Sequence, residues 1–366
     1  MKRILLAIKG LDRGGAEHIL VNAVRYGDRS RFDYEVANLL PELNALVPEL
    51  ESLGVRVHGL DGAWGAGWAM GLRTLVRERR IDLVHIHSPH PAIIARLALG
   101  RRCPVVYTEH NVWEIYRRAT YWGNLVTYFR NDHVFSVSEH VRLSARYPWP
   151  FRFLPMPPIE TLYHGPDPEA LARFASPDGV REELGIPVEA PIVGAVANLR
   201  AQKGHEYLLQ AAVRVRESVP DVRFVLVGQG PLEGTLRQRA GELGITDSVV
   251  FTGRRRDAIR IASAFDLAVL PSLHEGLAIA LIEAMALGKA VVATNVDGLL
   301  EVVDHGRHGL VVPPADPAAL ADAILTLLED RELRTRFGQA GRQRAAQFDI
   351  KKAVKRMEEV YEELVG

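Results

Sequence analysis

A single cysteine, Cys103, stands among the 366 residues, which excludes an internal disulfide and any zinc site built from several thiolates. With 48% hydrophobic and 25% charged residues, the composition is that of an ordinary globular protein, and the scarcity of thiols fits a reducing, cytoplasmic setting. No stretch approaches the roughly 20 apolar residues that span a bilayer as a helix, so no transmembrane anchor is expected. The opening MKRILLAIKGL runs into a Gly-Gly turn with no cleavage pattern behind it and reads as a first strand rather than a leader. No Asp-x-Asp pair that would suit a metal-bound diphosphate occurs, and there is no Walker lysine pattern. The dinucleotide fingerprint is also missing, which disfavours an α/β dehydrogenase.

Charge of one sign is lacking overall, since 45 Lys and Arg balance 45 Asp and Glu, and no nucleic-acid partner is expected. The balance hides an asymmetry: residues 1–160 carry 21 basic and 16 acidic side chains, a net +5, and the remainder a net −5. A mildly basic first half suits an anionic lipid surface or an acidic substrate, and equally an unremarkable solvated surface.

What is present is alternation. Short apolar runs alternate with helical patterns through both halves, the signature of parallel sheets with crossover helices. Strands are expected at 3–8, 34–39, 55–60, 83–87, 105–108 and 133–137, and again at 192–197, 223–227, 249–252, 267–270, 290–294 and 309–312. Between the two series, Leu154 to Pro191 is rich in Pro, Gly and charge, which puts a boundary near residue 170. The expected division is 1–170, 171–348 and a terminal helix over 349–366, whose Val354, Met357, Val360 and Leu364 lie at helical spacing and need a surface to cover.

Four places could carry chemistry. The first strand enters Lys9 to Glu17 through Gly14 and Gly15, where small residues and a helix start admit a phosphate, although strand-to-helix turns use glycine for geometry as well. Asn198-Leu199-Arg200-Ala201-Gln202-Lys203-Gly204 follows a strand and puts two cations where they could neutralise a diphosphate, or where they are plain surface charge. Beyond the strand at 267–270, Glu275 sits at a loop exit and the amides of Gly276, Leu277 and Ala278 open a helix expected to start about Leu277. Glu283 falls two turns into that apolar helix, where a carboxylate needs a partner such as a vicinal diol. Finally, His110 lies just past a strand end, as a catalytic or a structural histidine, while His85 and His87 share one strand face without an evident third ligand for a metal. The run Trp113 to Trp122 mixes aromatic and basic residues as an interfacial helix does, and as core packing does too.

GGAE at 14–17, NLRAQKG at 198–204, LVGQGP at 226–231 and HEGLAIALIEAMALGKAVVATNVDG at 274–298 together resemble the family 4 retaining glycosyltransferases, the glycosyl transferases of group 1. The motifs run from Gly14 to the carboxyl end in the family's order, and Glu275 and Glu283, with seven residues between them, match its hallmark. The resemblance implies the α/β GT-B fold: two Rossmann-like doubly wound domains facing a central cleft, an N-terminal acceptor domain and a C-terminal donor domain, with the last helix returning to the first. It implies that Arg200 and Lys203 bind the donor diphosphate with help from the Gly14 and Gly15 backbone. Glu275 and the amides of Gly276, Leu277 and Ala278 would hold the transferred sugar, Glu283 the ribose hydroxyls, and His110 would lie near the anomeric carbon. Base recognition is expected around Gly253 to Arg256. No metal or cofactor is implied. The donor is a nucleoside diphosphate sugar, with uridine favoured, and the acceptor a glycan or lipid-linked glycan of cell-envelope, lipopolysaccharide, exopolysaccharide or glycolipid synthesis, with peripheral contact at the inner face of the membrane. One departure stands out: the family's Asn-Gly-acidic turn near the boundary is replaced by Leu154-Pro155-Met156-Pro157-Pro158-Ile159-Glu160. Rival readings are a nucleotide-sugar epimerase on the same fold and a non-enzymatic nucleotide-sugar-binding protein.

Overall fold

Short runs of Val, Ile, Leu and Ala that are buried on both faces make parallel strands, because each face must be covered by crossover helices. The computed structural model describes residues 1–12, 14–60 and 66–366, so Arg13 of the first glycine turn lies outside the described residues. The strands form two parallel sheets. The first contains β1 (Lys2–Ile8), β2 (Phe32–Asn38), β3 (Arg56–Gly59), β4 (Leu83–Ile86), β5 (Val105–Glu109), β6 (His133–Ser136) and β7 (Ile159–Thr161), in the order β3-β2-β1-β4-β5-β6-β7. The second contains β8 (Ile192–Val196), β9 (Arg223–Val227), β10 (Val249–Gly253), β11 (Leu267–Leu270), β12 (Ala290–Thr294) and β13 (Gly309–Val312), in the order β10-β9-β8-β11-β12-β13.

The chain divides into Met1–His164 with Ile350–Gly366, and Gly165–Asp349. The crossing thus comes a few residues before the point suggested by composition. The Pro-rich segment contributes β7 to the first sheet, whereas the helix Pro168–Phe174 packs on the helix Ala258–Ser263 of the second unit.

In the second unit, side chains alternate along each strand with the period of two that the pleat imposes. Val193, Phe224, Leu226, Val269 and Val292 enter one core with Leu208, Leu209, Leu320 and Ile324. Ile192, Val225, Val227, Leu270 and Val291 enter the other with Ile261, Phe265, Leu281, Ile282 and Met285. The first unit buries Leu5, Val84, Ile86, Tyr107, Trp113 and Tyr128 together.

The helix Ile350–Val365 belongs to this first unit and buries Ala353, Val354, Met357, Val360 and Tyr361. Its polar ties are specific. The Tyr34 hydroxyl and the Asp28 amide both donate to Glu358 Oε1 at 2.6 Å, and the Tyr361 hydroxyl is hydrogen-bonded to His85 Nδ1.

In each sheet the strand order reverses once, between β1 and β4 and between β8 and β11. Loops leaving the carboxyl ends of the two strands at such a point diverge, and the crevice they leave is where doubly wound sheets bind ligands.

Candidate active site

The second reversal brings two of the motifs together. The loop after β8 runs through Asn198 and Arg200 into a 3-10 turn, Ala201–Lys203, and ends on Gly204 at φ 65° before the helix His205–Ser218. Gly204 is required twice over: its backbone is left-handed, and a Cβ there would lie 1.9 Å from the Pro271 carbonyl oxygen. That close approach fastens the loop to the one leaving β11. The Leu273 amide donates to the Gln202 carbonyl at 2.7 Å, and Lys203 Nζ reaches Glu275 Oε1 at 2.5 Å.

Glu275 is held from a third strand as well. Ser272 Oγ donates to the same Oε1 at 2.7 Å, and Thr294 Oγ1, at the end of β12, donates to the Ser272 carbonyl at 2.5 Å. A Cβ on Gly298 would lie 2.1 Å from the Gly276 carbonyl oxygen, so the loop after β12 also presses against the Glu275–Gly276 backbone. The Glu275 side chain is only 6% exposed and that of Lys203 19%. Taking both charges out of water is tolerable because each neutralises the other. Arg200, in contrast, is exposed, and among the described residues its guanidinium has no partner. A fixed ion pair with a free cation beside it offers a strongly anionic ligand a fork and a point charge in one loop.

The helix after Glu275 spans Ile279–Ala286, later than the expected start at Leu277, because Gly276, Leu277 and Ala278 remain loop, with Ala278 at φ −92° and ψ 80°. Among the described residues, the amides of these three donate to no protein acceptor. The shift also puts Glu283 one turn into the helix rather than two. Its neighbours Leu281, Ile282, Ala284 and Met285 are buried. Burial, together with the Asp167 carboxylate, pushes the partly buried Glu283 carboxyl up to about 7. Among the described residues its oxygens accept no hydrogen bond, so the carboxylate is short of donors that a ligand could bring.

His205, the residue after Gly204, is a member of this region that the sequence reading did not single out. It is buried, among the described residues neither ring nitrogen has a protein partner, and burial with the Lys203 charge pushes it down to about 4. Its position directly after the Lys-Gly pair was the available signal. Around Gly253 to Arg256, Arg255 is committed to Asp257 at 2.8 Å and Glu183 at 2.6 Å and is not a free cation, whereas Arg256 is exposed.

In the first unit, Gly14 is the extended N-cap, at φ −142°, of the helix Gly15–Tyr26, and a Cβ on Gly15 would meet open space. Neither glycine is in the left-handed region, and a Cβ on Gly14 would lie 2.4 Å from Glu17 Oε2. His110 follows β5 and is partly buried, and among the described residues its Nε2 has no protein partner. Its ring lies 5.7 Å from that of His87, which in turn lies 4.3 Å from His85. Burial first, and His87 and His164 second, hold His110 well below the ordinary imidazole value. The His85 and His87 pair is not a ligand pair: His85 spends one nitrogen on Tyr361 and the other on Thr108 Oγ1 at 2.7 Å.

Glu109, also not singled out from sequence, is buried and takes hydrogen bonds from Tyr107 at 2.9 Å, Trp113 at 3.1 Å and the Tyr116 hydroxyl. Trp113 and Tyr116 therefore belong to a buried polar knot. Of the run read as an interfacial helix, Glu114, Ile115, Arg117, Arg118, Ala119 and Trp122 are exposed, and the α-helix itself is Arg118–Thr127.

Residues 6–170 match the family model described as Glycosyltransferase Family 4, and residues 178–344 the one described as Glycosyl transferases group 1. The alpha-D-kanosaminyltransferase of Streptomyces kanamyceticus is 29% identical over 332 residues, 84% of either chain. A D-inositol 3-phosphate glycosyltransferase of Corynebacterium urealyticum is 37% identical over 196 residues, 51% of this chain and 46% of that one. The crystal structure of Anabaena HepE in complex with UDP and glucose superposes with a TM-score of 0.84 at 22% identity, over 99% of this chain and 100% of that one. Solved structures of this kind have the GT-B fold, two Rossmann-like units, and the chain shares it.

Proposed function

Because the chain belongs to the family 4 glycosyltransferases of group 1, we propose that it moves a sugar from a nucleoside diphosphate sugar to an acceptor hydroxyl, with retention at the anomeric carbon and without a metal. The observation that carries this reading is the Lys203–Glu275 pair at the β8/β11 reversal with the unpartnered Arg200 in the same loop. Arg200 and Lys203 suit the diphosphate and the charge that grows on it as the glycosidic bond breaks. Glu275 and the free amides of Gly276, Leu277 and Ala278 suit the sugar hydroxyls, and the donor-poor Glu283 carboxylate suits the ribose diol. The Gly14 and Gly15 backbone is assigned to phosphate, and the neutral His110 to a hydroxyl close to the reacting carbon.

In this reading the bond from the anomeric carbon to the diphosphate oxygen breaks while the acceptor oxygen bonds to the same face. The acceptor proton passes to the departing phosphate oxygen. Positioning and charge stabilisation are then the enzyme's contribution. Glu275 is engaged through Oε1 by both Lys203 and Ser272, which fits a positioning group better than a nucleophile. Uridine is the favoured base, in keeping with the UDP held by HepE. A lipid-linked or envelope glycan is the favoured acceptor, reached by peripheral contact with a membrane; among the described residues no helix is long and apolar enough to cross one.

The test is a thermal-shift panel of UDP, GDP, ADP and dTDP, each with and without EDTA. Selective stabilisation by UDP that survives EDTA is expected. A shift abolished by EDTA would remove the metal-free site, and no shift with any diphosphate would remove the donor assignment.

A further inference from the structure

Two stretches of the first unit, residues 115–131 and 140–159, contain Arg117, Arg118, Arg130, Arg142, Arg146 and Arg152 and neither Asp nor Glu. The fold joins them. On the helix Arg118–Thr127, one side packs inward through Asn124 and Leu125, while Arg118, Trp122 and Val126, spaced four apart, form an exposed stripe. The Trp122 ring packs on Phe151 at 5.9 Å between centroids, which anchors the 3-10 turn Phe151–Phe153 beside that stripe. Either side of the anchoring Phe151, Trp149 is 81% exposed and Phe153 78%. Leaving two large aromatic side chains in water on one tight turn has no rationale in the folding of the monomer. Among the described residues, no carboxylate pairs with Arg117, Arg118, Arg146 or Arg152.

We infer that this surface, the Arg118–Trp122–Val126 stripe with the Trp149–Phe153 turn, docks on a bilayer containing anionic lipid. Exposed aromatic rings with the exposed Arg118 on the same stripe and the exposed Arg152 in the same turn fit such a surface by chemistry and by charge. A protein partner or a second copy of the chain would have to supply a matching run of acids. The inference deepens the membrane contact proposed above, but its test uses no sugar transfer.

The experiment is flotation of the full chain with phosphatidylcholine vesicles and with vesicles in which roughly a third of the lipid is phosphatidylglycerol, at low and high salt. Binding to the anionic vesicles alone, weakened by salt, is expected. The double variant W149S/F153S is expected to bind at least tenfold less. Charge reversal in R118E/R152E should lower low-salt binding by at least about 25-fold, since each of the two basic groups removed is worth about fivefold near such a surface. The UDP-induced thermal shift measured on each variant is expected to stay at the parent value, which separates loss of the surface from loss of the fold. Failure of the parent to bind anionic vesicles overturns the inference. So does undiminished binding by W149S/F153S, equal binding to neutral vesicles, or a parent that dimerises through these residues instead. Lack of a UDP shift in the parent would count against the donor assignment and leave this surface standing.

Discussion

Lys203 Nζ and Ser272 Oγ both donate to Glu275 Oε1, at 2.5 and 2.7 Å, so among the described residues Glu275 Oε2 keeps no protein donor. One oxygen fixes the carboxylate, and the other is the one that the proposed contact with a sugar hydroxyl would use. The same bond that aims Glu275 also holds Lys203 in place, as the proposed diphosphate contact requires.

Replacing Lys203 with Ala should therefore do two things. Turnover of the donor should fall by about 10²–10³, the usual effect of deleting a group that stabilises developing charge; turnover within a few fold of the parent would refute the diphosphate assignment. Stability should also fall, by roughly 1–3 kcal/mol, because a nearly buried carboxylate loses its cation. Urea denaturation of K203A, E275A and the double variant should reveal a coupling of on the order of 1–3 kcal/mol, whereas additive effects would show the pair to be incidental.

Glu283 predicts a pH dependence of definite sign. Its folded-state carboxyl sits at about 7 against an ordinary 4.5. The folded protein thus holds a proton that the unfolded chain releases, and the stability this confers is full below about 4.5 and lost as pH rises through about 7. Glu283→Gln should accordingly stabilise the ligand-free protein at pH 8, by roughly 1–3 kcal/mol, and do little at pH 4. If the carboxylate receives the ribose hydroxyls, UDP should bind the parent more tightly at pH 8 than at pH 6 by calorimetry, and the variant should bind weakly at both. A parent affinity that is flat across this window would contradict the assignment.

Gly204 and Gly185 both have φ 65°, but only the former faces a neighbour: a Cβ on Gly185 would meet nothing within 4 Å. Gly185→Ala should lose only the left-handed penalty, about 1 kcal/mol. Gly204→Ala adds the collision with the Pro271 carbonyl and should lose several times as much, together with the UDP response. Equal losses would mean that the two loops are not fastened where the close approach lies.

Most strands were legible because a buried parallel strand is a short, unbroken apolar run, as in Leu267–Leu270 and Ala290–Thr294. β7 was not, since Ile159-Glu160-Thr161 is brief and polar and is fixed by pairing with β6. The site was legible where a motif falls at a strand end, as for Lys203 and Glu275. It was opaque where the third dimension does the selecting. Nothing local links Thr294 to Ser272 or Trp122 to Phe151, and the partners of Glu109 come from Tyr107, Trp113 and Tyr116 only once the turn between them has formed. The start of the helix at Ile279 was missed because Gly276 to Ala278 could equally continue a loop.

Acid should weaken the first unit, where four depressed histidines lie. Burial holds His85, His87 and His110 well below the ordinary imidazole value, with their mutual charges adding to it, and holds His164 at about 4. With folded values below the unfolded one, the stability these groups permit is full above pH 6.5 and is lost as pH falls from there toward about 4, at up to 1.4 kcal/mol per pH unit for each proton taken up on unfolding. Melting temperature should drop steeply between pH 7 and 5, and His164→Leu should flatten the decline; an unchanged slope would show that His164 does not take part.

The return of residues 350–365 to the first sheet has a consequence for synthesis. A chain emerging from the ribosome presents β1 to β7 early, yet His85 and Tyr34 must wait for Tyr361 and Glu358, which are translated only after all of Gly165–Asp349. The second unit is contiguous and has every residue it needs once position 349 has cleared the exit tunnel. Order of translation and order of completion are therefore inverted: the portion made first is the last to close, and until then its apolar face is left for chaperones to shield.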